Sequence, residues 1–418
     1  MAEPVGLQAL HVRPGNPDFL DLPWEVELAR WPQLCARSVE LPRGLSRHEV
    51  QFVQFDDALF ALKELPPGLA EREYELLLGM QGKGLPAVEP VGHARIQHRE
   101  GEAASVLVTR FLEASHPYRS LFLSPGLERY QERLLDAMAD LLVRLHLAGV
   151  FWGDCSLSNT LFRRDAGQLG AYLVDAETSE IHDSLSDGQR RTDLFILQEN
   201  VGGDLLDIAM VTELPGTLRP ERIGERILRR YECLWAEVNR ELIVGVKERW
   251  RIQERIRSLN GLGFSVSEIE FQATGEKDRL RMRTHVTDRD YHRHRLHDLT
   301  GLVALERQAE IMLNEIHELK GRLSRELQRP VPTAVAAFRW QTELMEPTVA
   351  RVAARLASPV EAAELYCQVL EHKWFLSEQA QEDVGLEKAL EDYLATVGGA
   401  GGNDAPGPQA GSGSTNPP

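Results

Sequence analysis

The chain has 418 residues, 43% hydrophobic and 27% charged, with a formal net charge of −17. That length exceeds one comfortable core, so two domains are the default expectation, and the acidic balance argues against non-specific nucleic-acid binding, which depends on clustered cations. Four scattered cysteines without a CxxC pair (Cys35, Cys155, Cys233, Cys367) exclude a disulfide framework or zinc site, and without a leader-like N-terminus or an 18-residue apolar run the chain reads as cytoplasmic, with no transmembrane segment.

Residues 1–36 read as an irregular N-terminal extension with aromatic anchors at Pro23-Trp24 and Trp31-Pro32. Between 37 and 113, short apolar runs alternate with turn signals. Glu49–Phe55, a turn at Asp56-Asp57 and Ala58–Leu65 predict a hairpin; Val88–Ile96 and Ser105–Phe111 predict two further strands. Glu71–Met80 predicts a helix between them. This is one small β-rich lobe.

The next segment, 114–258, opens with Leu134, Leu135, Met138, Leu141, Leu142 and Leu145 at helical spacing. A polar loop, Phe151–Asn159, and two short strands (Thr160–Phe162, Ala171–Val174) follow. Asp204–Val211 and Pro220–Leu259 read as helical. A helix, a loop and a hairpin make a second, larger lobe.

Residues 259–397 read as a mainly helical domain containing one β-hairpin, over 264–286. There Glu268, Glu270 and Gln272 face Arg279, Arg281 and Arg283, a pairing of opposite charges that stabilises the surface and makes an RNA contact unnecessary. Leu302, Leu305, Ala309, Met312, Ile316, Leu319 and Leu323 form an apolar seam, read as intradomain core in preference to a dimer coiled coil because it is only about three heptads long. Self-association or a protein partner remains open for this domain. Ser358-Pro359-Val360-Glu361 is a capping box that starts a helix. The Gly, Ala, Ser, Pro and Asn of 398–418 predict a disordered tail.

The chemistry concentrates in two places. The first is the loop Trp152-Gly153-Asp154-Cys155-Ser156-Leu157-Ser158-Asn159, followed by Tyr172-Leu173-Val174-Asp175-Ala176-Glu177. Asp154 suits a catalytic base that takes the proton of an acceptor hydroxyl. Asn159 and Asp175 are hard oxygen donors suited to Mg²⁺. The second is Lys63, a lone ammonium on an apolar strand, with Glu73 on the following helix. A strand lysine that grips nucleotide phosphates and is held by a helix carboxylate is the kinase arrangement, and the order Lys63, Glu73, Asp154, Asn159, Asp175 matches it. His285, His292, His294 and His297, with Asp290 and Asp298, form a second polar cluster; its all-round charge reads as a solvated connector, and it lacks HExxH spacing. Asp187, Arg191 and Asp193 either brace the catalytic loop or cap a helix.

Residues 37–255, most strongly 145–178, resemble the bacterial protein-kinase-like lipopolysaccharide (Kdo and heptose) kinases, with relatives among the aminoglycoside phosphotransferases. Residues 260–397 resemble a bacterial domain of unknown function. The resemblance implies an α+β fold: a two-lobed kinase-like domain (37–258) followed by the mainly helical domain. It implies that ATP and Mg²⁺ are the cofactors, Lys63 binds phosphates, Glu73 pairs with it, Asp154 is the base, and Asn159 and Asp175 hold the metal. Arg43, Gly44 and Thr109 join Lys63 as nucleotide-binding candidates, the first two in Pro42–His48, where a nucleotide-covering loop belongs. Three departures stand out: Trp152 replaces the family's His, Ala176-Glu177 replaces Phe-Gly, and no GxGxxG precedes Lys63. The activity implied is transfer of a γ-phosphate to a hydroxyl of a sugar, glycoconjugate, small molecule or protein. The departures keep a second reading in play, a pseudokinase acting as a nucleotide-binding regulator. Glu177 reads as a partner for a nearby arginine in preference to a third metal ligand.

Overall fold

A computed structural model describes the chain except residues 1–4, 42–46, 99–101, 124–129, 167, 215–218, 246–247, 275–278, 287–289, 356–360 and 400–418. Residues 358–360 of the capping box and nearly all of the tail lie outside the described residues. Two compact units emerge: Met1–Arg164 with Leu169–Leu242, and Asp165–Gln168 with the chain from Ile243 onward.

The first unit begins with a six-stranded sheet in the order β1-β5-β6-β4-β3-β2, comprising β1 (Gly6–Val12), β2 (Ser38–Val39), β3 (Val50–Phe55), β4 (Ala58–Leu65), β5 (Pro90–Gln97) and β6 (Ala103–Arg110). The β3–β4 hairpin closes over Asp56-Asp57, with Phe55 opposite Ala58. Asp56 takes a left-handed conformation (φ 51°) that a short polar side chain tolerates. Helix α2 (Leu69–Gly82) crosses between β4 and β5.

The N-terminal extension is more ordered than its sequence predicts. Its β1 pairs antiparallel with β5, His11 opposite His93 and Val12 opposite Gly92. Gly92 is what permits this: a Cβ there would lie 2.2 Å from the His11 carbonyl oxygen. Beyond β1, Phe19 packs edge-on against Phe55 and Phe60, and Trp24 against Trp31 of α1 (Trp31–Leu34). These rings fill the core under the sheet with Val53, Leu62, Val91 and Val108. The anchors build the small lobe's core from inside and the strand covers an edge that would otherwise be open.

After β7 (Ser115–Pro117) and α3 (Tyr118–Leu123), helix α4 (Gln131–Leu147) buries all six leucine and methionine positions of its predicted stripe. β8 (Val150–Phe151) pairs with β11 (Glu180–Ile181), while β9 (Thr160–Asp165) and β10 (Gln168–Leu173) form a hairpin extended by β7. Helices α5 (Asp187–Ala209) and α6 (Pro220–Val238) complete the unit. α5 starts seventeen residues before the helix expected from Asp204, because Ser186 and Gln189 form a reciprocal capping box.

In the second unit a three-stranded sheet, β12-β14-β13, comprises β12 (Leu242–Gly245), β13 (Val266–Ala273) and β14 (Arg279–Val286). The predicted continuous helix over 220–259 is broken by β12: Leu242-Ile243-Val244 pairs with β14, and helicity resumes only at α7 (Arg249–Gly261). Tertiary pairing overrides local helix propensity there. In the hairpin Glu270 lies opposite Arg283 and Gln272 opposite Arg281; the same register places Glu268 opposite His285, beyond the predicted arginine row. Helices α8 (Tyr291–Thr300), α9 (Glu306–Glu326), α10 (Thr333–Trp340), α11 (Glu346–Ala353), α12 (Ala362–Ala380) and α13 (Leu386–Gly399) follow. The apolar seam is intradomain core: Ala309, Met312, Ile316, Leu319 and Leu323 pack with Trp340 and Tyr366. Asp165 belongs to this unit and caps α9, accepting from the N–H groups of Arg307 and Gln308 at 2.9 Å each.

Trp31 has no exposed surface. Trp31→Ala is expected to destabilise the first unit by about 3–5 kcal/mol, the usual cost of emptying an aromatic site. Urea unfolding followed by fluorescence checks this; a loss below about 1 kcal/mol would mean the extension only drapes over the lobe.

Candidate active site

Lys63 sits in β4 opposite Leu107 of β6, with Ala61 opposite Thr109 one pleat along. Opposed and alternate residues share a sheet face. Thr109, buried near the end of β6, therefore lies on the face that carries Lys63. The Lys63 Nζ is 3.1 Å from Glu73 Oε2 and 2.7 Å from Asp175 Oδ2. Glu73 reaches it from α2, and Asp175 from just beyond the end of β10. The Ala176 N–H donates to Glu73 Oε1 at 3.0 Å, tying α2 to the segment after β10.

Glu73 is fully buried. Burial pushes its carboxyl up to about 7, against the attraction of Lys63, with the neighbouring Asp175 charge adding to the rise. Burial also opposes the Lys63 charge. Glu73 and Asp175 together outweigh it and hold the ammonium above its ordinary range.

The loop after α4 presents Asp154. Its Oδ2 accepts from Asn159 Nδ2 at 3.0 Å and from Arg47 Nη2 at 3.0 Å; its Oδ1 accepts from Asn200 Nδ2 at 2.9 Å. Gly153, before it, has φ 80°, and a Cβ there would meet the Thr178 carbonyl oxygen at 2.7 Å, so only glycine fits. Trp152, in place of the expected histidine, is buried, and its indole N–H donates to the Asp175 carbonyl at 3.3 Å. The indole thus links the base loop to the residue bound to Lys63. The Trp152 carbonyl accepts from the hydroxyls of Thr178 and Ser179 at 3.0 and 3.2 Å.

Helix α5 holds this loop from the other side. Asp193, without exposed surface, accepts from the N–H groups of Trp152 and Gly153 at 2.7 and 2.8 Å. Asn200 donates to Asp154 Oδ1 and, at 3.2 Å, to the Cys155 carbonyl. Asp204 accepts from the N–H groups of Leu157 and Ser158 at 2.8 and 3.2 Å. Two turns separate the first pair and one turn the second, so the three lie on one stripe and meet the loop in order. Of these residues, sequence reading singled out only Asp193, and it braces the loop. Asn200 and Asp204 escaped notice; their signal was their helical spacing from Asp193. Asp187 pairs instead with Arg190 at the exposed start of the helix.

Asp193 is itself held by His146. Burial keeps that imidazole below its usual range, against the pull of Asp193. A neutral ring next to a carboxylate donates from Nε2, 3.2 Å from Asp193 Oδ2, and so accepts at Nδ1 from the Tyr231 hydroxyl at 2.8 Å. Arg190 donates to the same hydroxyl at 3.2 Å and lies 4.1 Å over the Trp235 ring.

Other candidates separate from the site. Arg43 and Gly44 lie outside the described residues. Among the described residues Glu177 pairs not with an arginine but with His48, Nε2 to Oε2 3.1 Å. Cys155 is wholly buried, and burial pushes its thiol well up, which suits packing. Of the second-unit histidines, His292 pairs with Glu306 at 2.6 Å; among the described residues no group of three or more His, Cys, Asp or Glu is gathered for a metal. Nor is any described helix long and apolar enough to cross a membrane.

Removing the Asp193 carboxylate leaves two buried backbone N–H groups unpaired. Asp193→Ala is expected to cost about 1–3 kcal/mol or more of stability. A thermal melt checks this, and an unchanged midpoint would show that the loop is held otherwise.

Residues 55–207 match the lipopolysaccharide kinase (Kdo/WaaP) family, and residues 233–397 match the domain of unknown function DUF4032. None of the curated proteins matches the chain. Among solved structures, WaaP in complex with acyl carrier protein is 17% identical, with a TM-score of 0.35, covering 60% of this chain and 94% of that one. The BubR1 kinase domain is 13% identical, with a TM-score of 0.30, covering 54% and 84%. Both superpositions are distant, and the assignment rests on the matched sequence. The chain thus joins a kinase-type phosphotransferase region, similar to the lipopolysaccharide kinase (Kdo/WaaP) family, to a region similar to DUF4032.

Proposed function

We propose that this protein transfers the γ-phosphate of ATP to a hydroxyl group of a sugar, glycoconjugate, small molecule or protein. One observation carries the reading: Lys63, held between Glu73 and Asp175, is joined through Trp152 to the loop that presents Asp154 and Asn159. Lys63 binds the phosphates, with Thr109 on the same sheet face. Asp175 and the Asn159 amide oxygen form a sparse, hard donor set, which fits Mg²⁺; when bound, the ion neutralises phosphate charge. Asp154 orients the acceptor. As its oxygen bonds to the γ-phosphorus, the acceptor O–H breaks and its proton passes to Asp154, while the bond from phosphorus to the bridging oxygen breaks and ADP leaves. Residues 259–397 contribute recognition of the acceptor or of a protein partner.

The Arg47–Asp154 ion pair favours a second reading, a nucleotide-binding regulator whose base is blocked. Binding and transfer separate the two. At MgATP one hundred times its dissociation constant, stability is expected to rise by about 2.7 kcal/mol; no shift removes both readings. Asp154→Asn is expected to abolish phosphate transfer while retaining nucleotide binding. Binding without transfer by the wild type, across sugar, glycan and protein acceptors, selects the regulator.

The Glu73 carboxyl sets a pH dependence. A cation on Asp175 cancels the charge that helps to raise Glu73, so loading lowers its pKa from about 7 and releases a proton. Release on binding means affinity rises with pH through that window. Between roughly pH 6 and 8, MgATP affinity of the wild type is expected to rise more steeply than that of Glu73→Gln, in which only the nucleotide's own titration remains. Isothermal titration at several pH values measures both slopes; equal slopes would remove Glu73 from the site.

A further inference from the structure

We propose that Asn200 is the positioning residue for the candidate base, fixing the Asp154 carboxylate so that Oδ2 is the oxygen that meets the acceptor hydroxyl. The inference rests on the phosphotransferase reading and deepens it.

Among the described residues Asp154 has three side-chain donors. Arg47, on an 85% exposed side chain, and Asn159 both reach Oδ2. Neither holds the other oxygen: Asn159 keeps its N–H on Oδ2 while its amide oxygen is offered to a metal, and the Arg47 cation on Oδ2 occupies the position that an acceptor needs. Asn200 alone among them reaches Oδ1, at 2.9 Å, and it belongs to a helix, not a loop. Its Nδ2 also donates to the Cys155 carbonyl at 3.2 Å, so both amide hydrogens are committed, one to the base and one to the backbone beside it. That double attachment fixes both the rotation of the carboxylate and the height of the loop.

Its neighbours on the stripe cannot substitute for it. Asp193 and Asp204 are acceptors: on the loop they meet backbone N–H groups, and Asp193 also accepts from His146 Nε2. Trp152 directs its indole N–H to the Asp175 carbonyl, away from the base. The donor to the base's second oxygen therefore comes from α5, two turns beyond Asp193.

The test compares Asn200→Ala with Asn200→Asp in the full chain, reading MgATP-dependent release of inorganic phosphate with water as acceptor. Asparagine and aspartate have nearly the same shape. A packing role therefore predicts that Asn200→Asp is the milder change. Positioning by donation predicts the reverse, because the aspartate sets a like charge against Asp154 and cannot donate to it. We expect kcat to fall on the order of 10²-fold in Asn200→Ala and further in Asn200→Asp. KM for MgATP should stay within about twofold of the wild type, since nucleotide binding is assigned to Lys63, Asn159 and Asp175. Melting curves of both variants confirm that they are folded. Wild-type turnover with Asn200→Asp equal to or faster than Asn200→Ala, or a loss confined to KM, overturns the inference and leaves the phosphotransferase reading intact. If the wild type binds MgATP but releases no phosphate from it, with water or any acceptor, both are overturned.

Discussion

A lysine ammonium taken almost wholly out of water must be met by negative charge, and the kinase-like unit is arranged around that requirement. Lys63 comes from β4, Glu73 from α2 and Asp175 from the segment after β10. The three elements are far apart in sequence, and unpaired burial of any one of these charges is costly. Glu73, the most buried, is further secured by the Ala176 N–H, so that one carboxylate joins the helix of the small lobe to the strand end of the large one. Burial raises Glu73, with the second carboxylate adding to the rise, while the two carboxylates together keep Lys63 charged.

The second half of the site follows a different rule. A loop that must present a carboxylate to solvent cannot satisfy all its own backbone groups, so α5 supplies them. Asp193, Asn200 and Asp204 meet residues 152–158 as a row of side chains on a rigid rod. Behind the rod, Tyr231 and His146 complete the hydrogen bonding of Asp193 within a fully buried core. Burial of this chain of polar groups makes the loop's geometry a property of the core.

The second unit is organised by apolar packing, with Trp340 and Tyr366 meeting edge to face against α9. Two of its polar exceptions are capped or paired: Asp165 on the N-terminus of α9, and the Tyr366 hydroxyl on Glu315 at 2.8 Å. Burial lifts Asp165 to about 6 even though two N–H groups favour its charged form.

Much of this was legible before any coordinates. Short-range rules determined the β3–β4 hairpin, the buried face of α4 and the intradomain seam of α9, because apolar periodicity and turn chemistry act between near neighbours. The candidates Lys63, Glu73, Asp154, Asn159 and Asp175 were named from residue type, order and a local hairpin. Other features depended on partners distant in sequence. Gly92 looked like any strand glycine until β1 passed over it, and Leu242–Gly245 read as helix until β14 offered an edge. Asn200 was an ordinary polar residue on a helix until the loop folded against it. A side chain's periodicity is written in its neighbours, but the atom it donates to is decided only when the chain returns, and here that return brings Asn200 to Asp154 across 46 residues.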